Sequence, residues 1–332
     1  MVKTILLNNR PEGKPSVSNF EFITEDADLT ISEGEILLEA AYVSVDPYLR
    51  GRMSAAKSYV PPFELNKPVH SGVVAKVIES KNEKFNEGDY VSGMLNWSTQ
   101  QVSNGEGLNK VDGSKAPLST YLGILGMTGL TAYLGLNQIG KPVAGETIVV
   151  SGAAGAVGSV VGQIAKILGL TVIGIAGTDE KIDMLKTKFG FDAGINYNTS
   201  TDIASDIKKA APNGVDIYFD NVGGPISDAV LFNINQFARI IICGAISVYN
   251  NTETPKSVSV QPFLVKKSAL MQGFIVSNYA DKFPEAMKQL SGWLADEKLT
   301  YTETIVNGFE NIPSAFIDLF DGKNKGKMIV KI

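Results

Sequence analysis

The sequence predicts an α/β protein that combines a doubly wound parallel sheet with a second, mostly β unit. Residues 1 to about 120 contain short segments rich in β-branched and apolar residues, separated by Gly, Pro and Asn clusters, which is typical of a barrel-like unit. From about residue 122, strand and helix patterns alternate instead. That alternation indicates a parallel sheet covered by helices on both faces.

Each element is predicted from its own pattern. In the β-rich part, strands are expected at 34–45 and 70–80, and the stretch 85–94 is expected to be a Glu-Gly-Asp turn that leads into a strand. The final "GKMIVKI" is a short strand that we expect to return to this part. The alternating part begins with a helix at 128–140. It continues with strands at 147–151, 171–176, 194–197, 215–220 and 238–243, and with helices at 156–168, 179–189, 201–211 and 225–235. A strand at 269–277 and an amphipathic helix at 283–299 follow.

Composition excludes several classes of function. The net charge of −5 and the absence of a Lys/Arg cluster argue against nucleic-acid binding. One cysteine, Cys243, and one histidine, His70, cannot build a disulfide framework or a zinc site, so no metal is expected. The apolar run at the N-terminus is too short for a signal peptide, and glycines and polar residues interrupt the stretch 147–177, so a cytoplasmic protein is expected.

His70 is the one residue on which a Ser-His-Asp mechanism could depend. It stands in "KPVHSGVVAKV", just before an alternating strand pattern. This position favours a histidine at a strand entry or in a barrel wall over a catalytic base.

The stretch "TIVVSGAAGAVGSVVGQIAKILG", Thr147 to Gly169, carries the strongest functional signal. A strand runs into a glycine-rich turn and then a helix, whose first N–H groups and dipole favour an anion. Gly155 and Gly158 occupy the second and third glycine positions of a dinucleotide-binding pattern, and Ala153 replaces the first, which predicts a slightly wider turn. The alternative is a tight turn in a sheet that binds nothing.

The next strand distinguishes between the two nicotinamide cofactors. NAD-binding folds place an acid at its end, about 20 residues past the loop, and Ala176 occupies that place here. Asp179 fits a helix N-terminus, whereas Lys181 is placed to meet a 2′-phosphate, with Thr178 and Tyr197 nearby. The pattern therefore favours NADP(H), although Lys181 alone would suit a solvated helix surface.

Two later strand ends are further candidates for the same crevice. "FDNVGG" (219–224) and "CGAIS" (243–247) each end a strand, and ligands of open α/β sheets bind at the carboxyl ends of the strands. Asn221 and Gly223 are therefore candidate lining residues, with an ordinary β-turn as the alternative.

Several motifs together resemble one known family. "SVDPYLRGRM", "AAGAVGS", "GTDEK", "FDNVGG", "RIIICGAISVYN", "MQGFIV", "GFENIPSAF" and "GKNKGKMIVKI" occur in order over nearly the whole chain. They resemble the zinc-free medium-chain dehydrogenase/reductases. The most similar branch contains prostaglandin reductases (leukotriene hydroxydehydrogenases), plant 2-alkenal double-bond reductases and bacterial curcumin reductases.

The resemblance implies a fold and a cofactor. A discontinuous GroES-like barrel (1–121 and 299–332) would flank a Rossmann domain (122–298), with the active site in the interdomain cleft and homodimers formed through edge strands. The implied cofactor, NADPH, would be bound by residues of the glycine loop, of the strand ends and of the C-terminal segment. These are Ala154, Gly155, Ala156, Val157, Gly158, Thr178, Lys181, Tyr197, Asn221, Cys243, Gly244, Ala245, Ile246, Tyr249, Phe274, Val276 and Asn324.

The implied reaction is reduction of the double bond of an α,β-unsaturated ketone or aldehyde by hydride transfer to the β-carbon. Several relatives carry a tyrosine before "QGF", but the segment "SVSVQPFLVKKSAL" has none, so that role cannot be transferred. Tyr48 and Tyr249 are the candidate catalytic residues, and Tyr48, Arg50 and Tyr279 are candidates for lining the substrate. Two alternatives remain open: a quinone reductase on the same scaffold and a non-catalytic NADPH-binding redox sensor.

Overall fold

The computed structural model describes residues 1–332, which divide into two compact units. The N-terminal unit contains Met1–Gly123, Glu303–Asn324 and Met328–Ile332, and the central unit contains Ile124–Thr302 and Lys325–Lys327. The chain thus changes unit at 123/124 and 302/303. The predicted limits of 121/122 and 298/299, between a catalytic and a cofactor-binding domain, stay a prediction. The central unit also takes in three residues near the C-terminus.

Strands and helices are numbered in chain order. The strands are β1 (Val2–Leu7), β2 (Phe20–Glu25), β3 (Ile36–Ser44), β4 (His70–Ser80), β5 (Tyr90–Asn96), β6 (Gln100–Ser103), β7 (Asn109–Val111), β8 (Thr147–Ser151), β9 (Thr171–Ala176), β10 (Ala193–Asn196), β11 (Val215–Asp220), β12 (Ile234–Ile242), β13 (Leu270–Gly273), β14 (Glu303–Asn307) and β15 (Lys327–Lys331). The α-helices are α1 (Leu49–Arg52), α2 (Met127–Leu134), α3 (Gly158–Ile167), α4 (Asp179–Thr187), α5 (Ile203–Ala210), α6 (Gly224–Leu231), α7 (Gln261–Lys267), α8 (Phe283–Ala295) and α9 (Ile312–Asp318).

The N-terminal unit is built on a seven-stranded sheet. Its order is β14-β15-β3-β4-β5-β7, with β6 also paired to β3, and a separate two-stranded sheet joins β1 to β2. The C-terminal strand pairs antiparallel with β3, so that Ile329 lies opposite Ser44. Inward-facing apolar residues such as Val43 and Val73 are fully buried, which makes this sheet one wall of a hydrophobic core.

The central unit contains a six-stranded parallel sheet in the order β10-β9-β8-β11-β12-β13. The chain moves outward from β8 in one direction and then returns to build the other half, which places a topological switch point beside β8. All five residues of β8 are buried, as expected for a strand that is covered on both faces. The prediction of a doubly wound parallel sheet is confirmed.

Helix α3 packs unusually close to its surroundings. A Cβ atom at Gly162, in the middle of the helix, would lie 1.9 Å from the ring of Phe191. A side chain at this position would therefore push the helix off the sheet, and with it the loop that precedes the helix.

Several predicted elements have other bounds in the structure, and three of them show the physical reason. The helix predicted at 128–140 is α-helical only to Leu134 and continues as a π-helical turn, where a Cβ at Gly135 would lie 2.6 Å from the ring of Phe274. The helix predicted at 225–235 ends at Leu231 because Ile234 already belongs to β12. The strand predicted at 269–277 stops at Gly273, since its partner β12 ends opposite that residue. None of the helices combines the length and the apolar character that crossing a bilayer requires.

Candidate functional site

The loop after β8 turns at Gly152. This residue has φ of +59°, and its carbonyl oxygen accepts a hydrogen bond of 3.0 Å from the Gly155 N–H. Ala153 is fully buried, and its N–H donates to the Ile175 carbonyl at 3.1 Å. The left-handed turn is thus made by Gly152, one residue before the position where the sequence pattern placed its first glycine. Ala153 needs no special backbone conformation.

The other two loop glycines are required for different reasons. A Cβ at Gly158 would lie 2.4 Å from the Gly152 carbonyl oxygen and 2.8 Å from the Ala153 Cα, so only glycine lets α3 begin this close to the loop. A Cβ at Gly155 would meet only the Gly152 carbonyl oxygen, at 3.2 Å. The loop backbone at Gly155, together with Ala154, Ala156 and Val157, therefore borders space at the N-terminal end of α3, where N–H groups without helical acceptors favour an anion. A pyrophosphate fits this cradle.

A basic pocket follows β9. Ala176 is buried at the strand end where an acid would bind ribose hydroxyls, and Thr178 caps α4 by accepting a 3.2 Å hydrogen bond from the Lys181 N–H. A Cβ at Gly177 would lie 2.7 Å from the Tyr197 hydroxyl, so the phenol lies directly over this turn. Burial, followed by the charge of Lys325, lowers the pKa of Lys181. A half-buried lysine beside a second cation is a site that a 2′-phosphate fits.

Asp220 organises the end of β11, and sequence reasoning missed it. Its carboxylate is 2% exposed, and Oδ1 accepts hydrogen bonds of 2.8–2.9 Å from four donors. The donors are the Ser151 and Tyr218 hydroxyls and the N–H groups of Val222 and Gly223. An acid at the end of an otherwise apolar strand was the available signal, because a buried carboxylate needs donors and the adjoining turn supplies them.

The same acid aligns two strand ends through its backbone. The N–H groups of Cys243 and Gly244 donate to the Asp220 carbonyl at 2.8 and 3.1 Å. Asn221 joins this turn to β8, since its side-chain amide donates to the Ser151 carbonyl at 2.8 Å. Burial raises the pKa of Cys243 to about 12, so its thiol stays protonated and unreactive.

Tyr249 folds back over the turn that follows β12. Its hydroxyl oxygen accepts a 3.2 Å hydrogen bond from the Ala245 N–H, and a Cβ at Gly244 would lie 3.1 Å from that oxygen. The Ile246 N–H donates to the Asn221 carbonyl at 3.4 Å, which ties the two turns together. Burial raises the pKa of Tyr249, so the phenol keeps its proton at neutral pH while its oxygen accepts from the backbone.

The residues predicted after β13 pack around α2. The Phe274 ring lies edge-on to Phe219, with ring centroids 6.5 Å apart, and edge-on to Tyr279 at 6.4 Å. Val276 packs against the buried cluster that contains Leu134. Tyr279 packs against Phe274 in this arrangement, and its contact with substrate stays a prediction.

Tyr48 lies in the N-terminal unit, immediately before α1. Burial and then the charge of Asp46 raise its pKa, and the nearby Arg52 opposes them. Asp46 is itself buried and accepts a 2.5 Å hydrogen bond from the Ser44 hydroxyl. The Tyr48 phenol is thus held in its protonated form close to a cation.

Arg50 and Asn324 complete the predicted set. Arg50 is 8% exposed and donates to the carbonyl oxygens of Gly13, at 2.8 and 3.2 Å, and of Pro11, at 3.3 Å. These bonds fix the loop at residues 11–13, and the proposed contact of Arg50 with substrate stays a prediction. Asn324 directly precedes the segment Lys325–Lys327.

His70 begins β4 and contacts Arg52 and Phe63. The Arg52 guanidinium lies 2.7 Å from the His70 Nε2 and 4.0 Å above the centre of the Phe63 ring. Since a guanidinium can only donate, Nε2 must be the acceptor and the imidazole is neutral. Burial, followed by the charge of Arg52, lowers the pKa of His70. No three His, Cys, Asp or Glu residues come together where they could hold a metal ion.

Two family models match the chain. The model described as the N-terminal domain of oxidoreductase matches residues 3–111, and the model described as zinc-binding dehydrogenase matches residues 156–292. Together they fall on the main parts of both compact units.

Curated relatives match over nearly their full length. YfmJ of Bacillus subtilis, provisionally named an NADP-dependent oxidoreductase, is 55% identical over 99% of this chain and 97% of its own length. The NADPH-dependent curcumin reductase of Escherichia coli is 41% identical over 98% of this chain and 96% of its own length. The NADP-dependent 2-alkenal reductase of Nicotiana tabacum is 41% identical over 99% of this chain and 97% of its own length.

Solved structures agree with these relatives. CurA from Vibrio vulnificus in complex with NADPH is 43% identical and superposes with a TM-score of 0.94, covering 99% of this chain and 98% of that one. A quinone oxidoreductase from Pseudomonas syringae, 21% identical with a TM-score of 0.77 over 100% of both chains, shares the fold alone.

Proposed function

Because the chain belongs to the zinc-free medium-chain dehydrogenases/reductases, in the branch of the curcumin, 2-alkenal and prostaglandin reductases, we propose that it reduces activated carbon–carbon double bonds with NADPH. The substrates are α,β-unsaturated ketones and aldehydes. The observation that carries the proposal is the glycine cradle after β8, followed at the end of β9 by Ala176 in place of an acid and by Lys181.

The names of the relatives define a chemical class. Curcumin and 2-alkenals are both α,β-unsaturated carbonyl compounds, in which the carbonyl group makes the β-carbon electrophilic. Relatives of this chain that are named for such compounds depend on NADP(H). The enzyme is an NADP-dependent oxidoreductase of carbon–carbon double bonds.

The residues of the central unit would hold NADP(H) along the carboxyl ends of the strands. The Ala154–Gly158 backbone would bind the pyrophosphate, and Lys181, Thr178 and Tyr197 the 2′-phosphate. The turns at Asn221 and at Cys243–Ile246 would line the crevice, with Tyr249, Phe274 and Val276 as further contacts. The contact of Asn324, which directly precedes Lys325, stays a prediction. When bound, the reduced cofactor supplies a hydride for the β-carbon of the substrate.

The chain must then supply protons and hydrogen bonds. Negative charge develops on the carbonyl oxygen, and a donor aimed at that oxygen stabilises it. Tyr48 and Tyr249 both have raised pKa values and keep their protons at neutral pH. A weakly acidic phenol suits this task, because it gives up its proton only to an oxygen that has become basic. Tyr48 and Tyr249 are therefore the two candidate proton donors.

The decisive experiment is NADPH oxidation with a panel of enones, 2-alkenals and quinones, run in parallel with NADH. We expect turnover of enones and enals with NADPH and much slower turnover with NADH. Reduction of quinones but not of enones would identify a quinone reductase instead. Tight NADPH binding without turnover of any of these compounds would support a redox sensor.

Two further expectations concern the setting of the enzyme. We propose a homodimer, which sedimentation velocity at micromolar concentration would detect as twice the chain mass of 35.5 kDa. We also propose a cytoplasmic location, which cell fractionation would test.

A further inference from the structure

A short C-terminal segment lies against the phosphate loop. The Gly326 N–H donates to the Ala154 carbonyl at 2.8 Å, and Gly326 forms a parallel bridge with Gly155. On its other side, the Lys327 N–H donates to the Thr302 carbonyl at 2.9 Å. The backbone on both sides of Gly326 is therefore fixed beside the proposed pyrophosphate cradle.

The geometry of Gly326 leaves little freedom to this segment. Its φ is +65°, and a Cβ here would lie 1.8 Å from the Thr302 carbonyl oxygen. Only glycine permits such an approach, so the position of Lys325, one residue earlier, is set by the fold.

Lys325 reaches the helix that carries Lys181. Its ammonium group forms an ion pair with the Glu180 carboxylate, in the first turn of α4. Glu180 directly precedes Lys181, whose pKa is lowered by burial and then by the charge of Lys325. Two ammonium groups from distant parts of the chain thus lie near one carboxylate, at the proposed site of the 2′-phosphate.

We propose that Lys325 is a second cation for the 2′-phosphate of the cofactor and that Glu180 is its competing partner until the cofactor binds. This inference rests on the proposed use of NADPH and names a residue that determines its specificity. Without Lys325, the Glu180 carboxylate would repel the phosphate beside Lys181.

The energies of the two pairings favour an exchange of partners. Glu180 is 72% exposed and Lys325 is 41% exposed, and an ion pair between such exposed groups contributes little to stability. A phosphate monoester carries roughly −1.5 to −2 charges at neutral pH and offers three acceptor oxygens. The ammonium group therefore gains more from the phosphate than it loses at Glu180.

The test measures binding of 2′,5′-ADP and of 5′-ADP by calorimetry, so it needs no turnover. In Lys325→Met we expect the Kd for 2′,5′-ADP to rise about tenfold, the size of one hydrogen bond between charged groups, while the Kd for 5′-ADP stays unchanged. The dependence of the 2′,5′-ADP affinity on salt should also become shallower. Lys186→Met is the matched control, because Lys186 lies on the same helix and pairs with Asp183.

Glu180→Gln separates the two parts of the proposal. Removing the carboxylate should tighten 2′,5′-ADP binding in the wild-type background and restore part of the affinity that Lys325→Met loses. Equal Kd values for Lys325→Met and Lys186→Met would overturn the role of Lys325, even if the wild type prefers 2′,5′-ADP. A wild type with no preference between the two nucleotides would overturn the use of NADP as well.

Discussion

The two units of the molecule build polar environments in different ways. In the central unit, backbone N–H and carbonyl groups converge at the carboxyl ends of parallel strands, and glycines let them come close. In the N-terminal unit, buried charged side chains contact polar side chains and backbone carbonyl groups. Asp46, Arg50 and Arg52 are all at most 8% exposed.

The difference lies in what each environment can tolerate. Gly158 of the central unit excludes any side chain, because the nearest atoms are backbone atoms that cannot move aside. In the N-terminal unit a charge acts on its neighbour, as the Arg52 guanidinium does on the pKa of His70, so replacing the charge changes that pKa. The first environment should therefore fail by steric clash, and the second by altered protonation.

Of the substitutions considered, Gly158→Val should have the largest effect on stability and on NADPH binding. Its Cβ would lie 2.4 Å from the Gly152 carbonyl oxygen, so we expect a loss of about 3 kcal/mol or more in the free energy of unfolding and no measurable NADPH binding. Denaturant unfolding and fluorescence titration check both. Gly292→Ala is the control: nothing lies within 4 Å of its Cβ position in α8, so it should stabilise the protein by about 0.5–1 kcal/mol.

The same contrast explains what the sequence could predict. Strands β8, β9 and β11 were predicted to the residue, because buried parallel strands are continuous apolar runs bounded by turn residues. The positions of Gly155 and Gly158 could likewise be predicted from local spacing. The role of Gly152 was missed, since a motif gives spacing but not φ.

The N-terminal environment could not be predicted in this way. Arg50 donates to Gly13, 37 residues away, and Arg52 contacts His70, 18 residues away. No periodicity in the sequence records such pairs, because they depend on how strands and loops pack in three dimensions. The pairing of Lys325 with Glu180, 145 residues apart, was missed for the same reason.

Asp220→Ala tests whether the central environment also depends on one charge. Four donors would lose their acceptor inside the protein, so we expect a loss of about 2–4 kcal/mol in the free energy of unfolding. Asp220→Asn keeps an acceptor oxygen, so its free energy of unfolding should fall clearly less than that of Asp220→Ala. If the two variants are equally stable, the carboxylate network is not what holds the ends of β8 and β11 together.

Tyr48 in the N-terminal unit and Tyr249 in the central unit are the two candidate proton donors, so their substitution measures what each unit contributes to catalysis. Tyr48→Phe should lower kcat on an enone by about 100-fold if its phenol is the general acid. Tyr249→Phe should lower kcat on an enone by about tenfold, because the Tyr249 oxygen also accepts a hydrogen bond from the Ala245 N–H that positions the turn. Steady-state kinetics with NADPH measure both, and Tyr133→Phe is the control because Tyr133 packs against Trp293 and is not among the predicted site residues. Wild-type kcat and kcat/KM in both variants would reject the tyrosines as proton donors.

Protonation of His70 should change the stability of the protein less than the substitutions above, and it should be visible as a dependence of stability on pH. Burial and the Arg52 charge hold its pKa below the ordinary value of 6.5, while a hydrogen bond to the Pro68 backbone opposes them. The unfolded chain thus binds a proton at a higher pH than the folded chain does. The stabilising contribution of neutral His70 is complete above about pH 6.5 and declines as the pH falls towards the folded pKa.

Because His70 is the sole histidine, its imidazole signals in an NMR titration can be assigned without ambiguity. We expect a midpoint below 6.5 in the wild type and a higher midpoint in Arg52→Gln, which removes the cation but keeps a hydrogen-bond donor. His70→Gln should also flatten the decline of stability between about pH 7 and 5. An unchanged midpoint in Arg52→Gln would show that burial alone sets this pKa. The charge-based account of the N-terminal unit would then fail at the residue where it can be measured most directly.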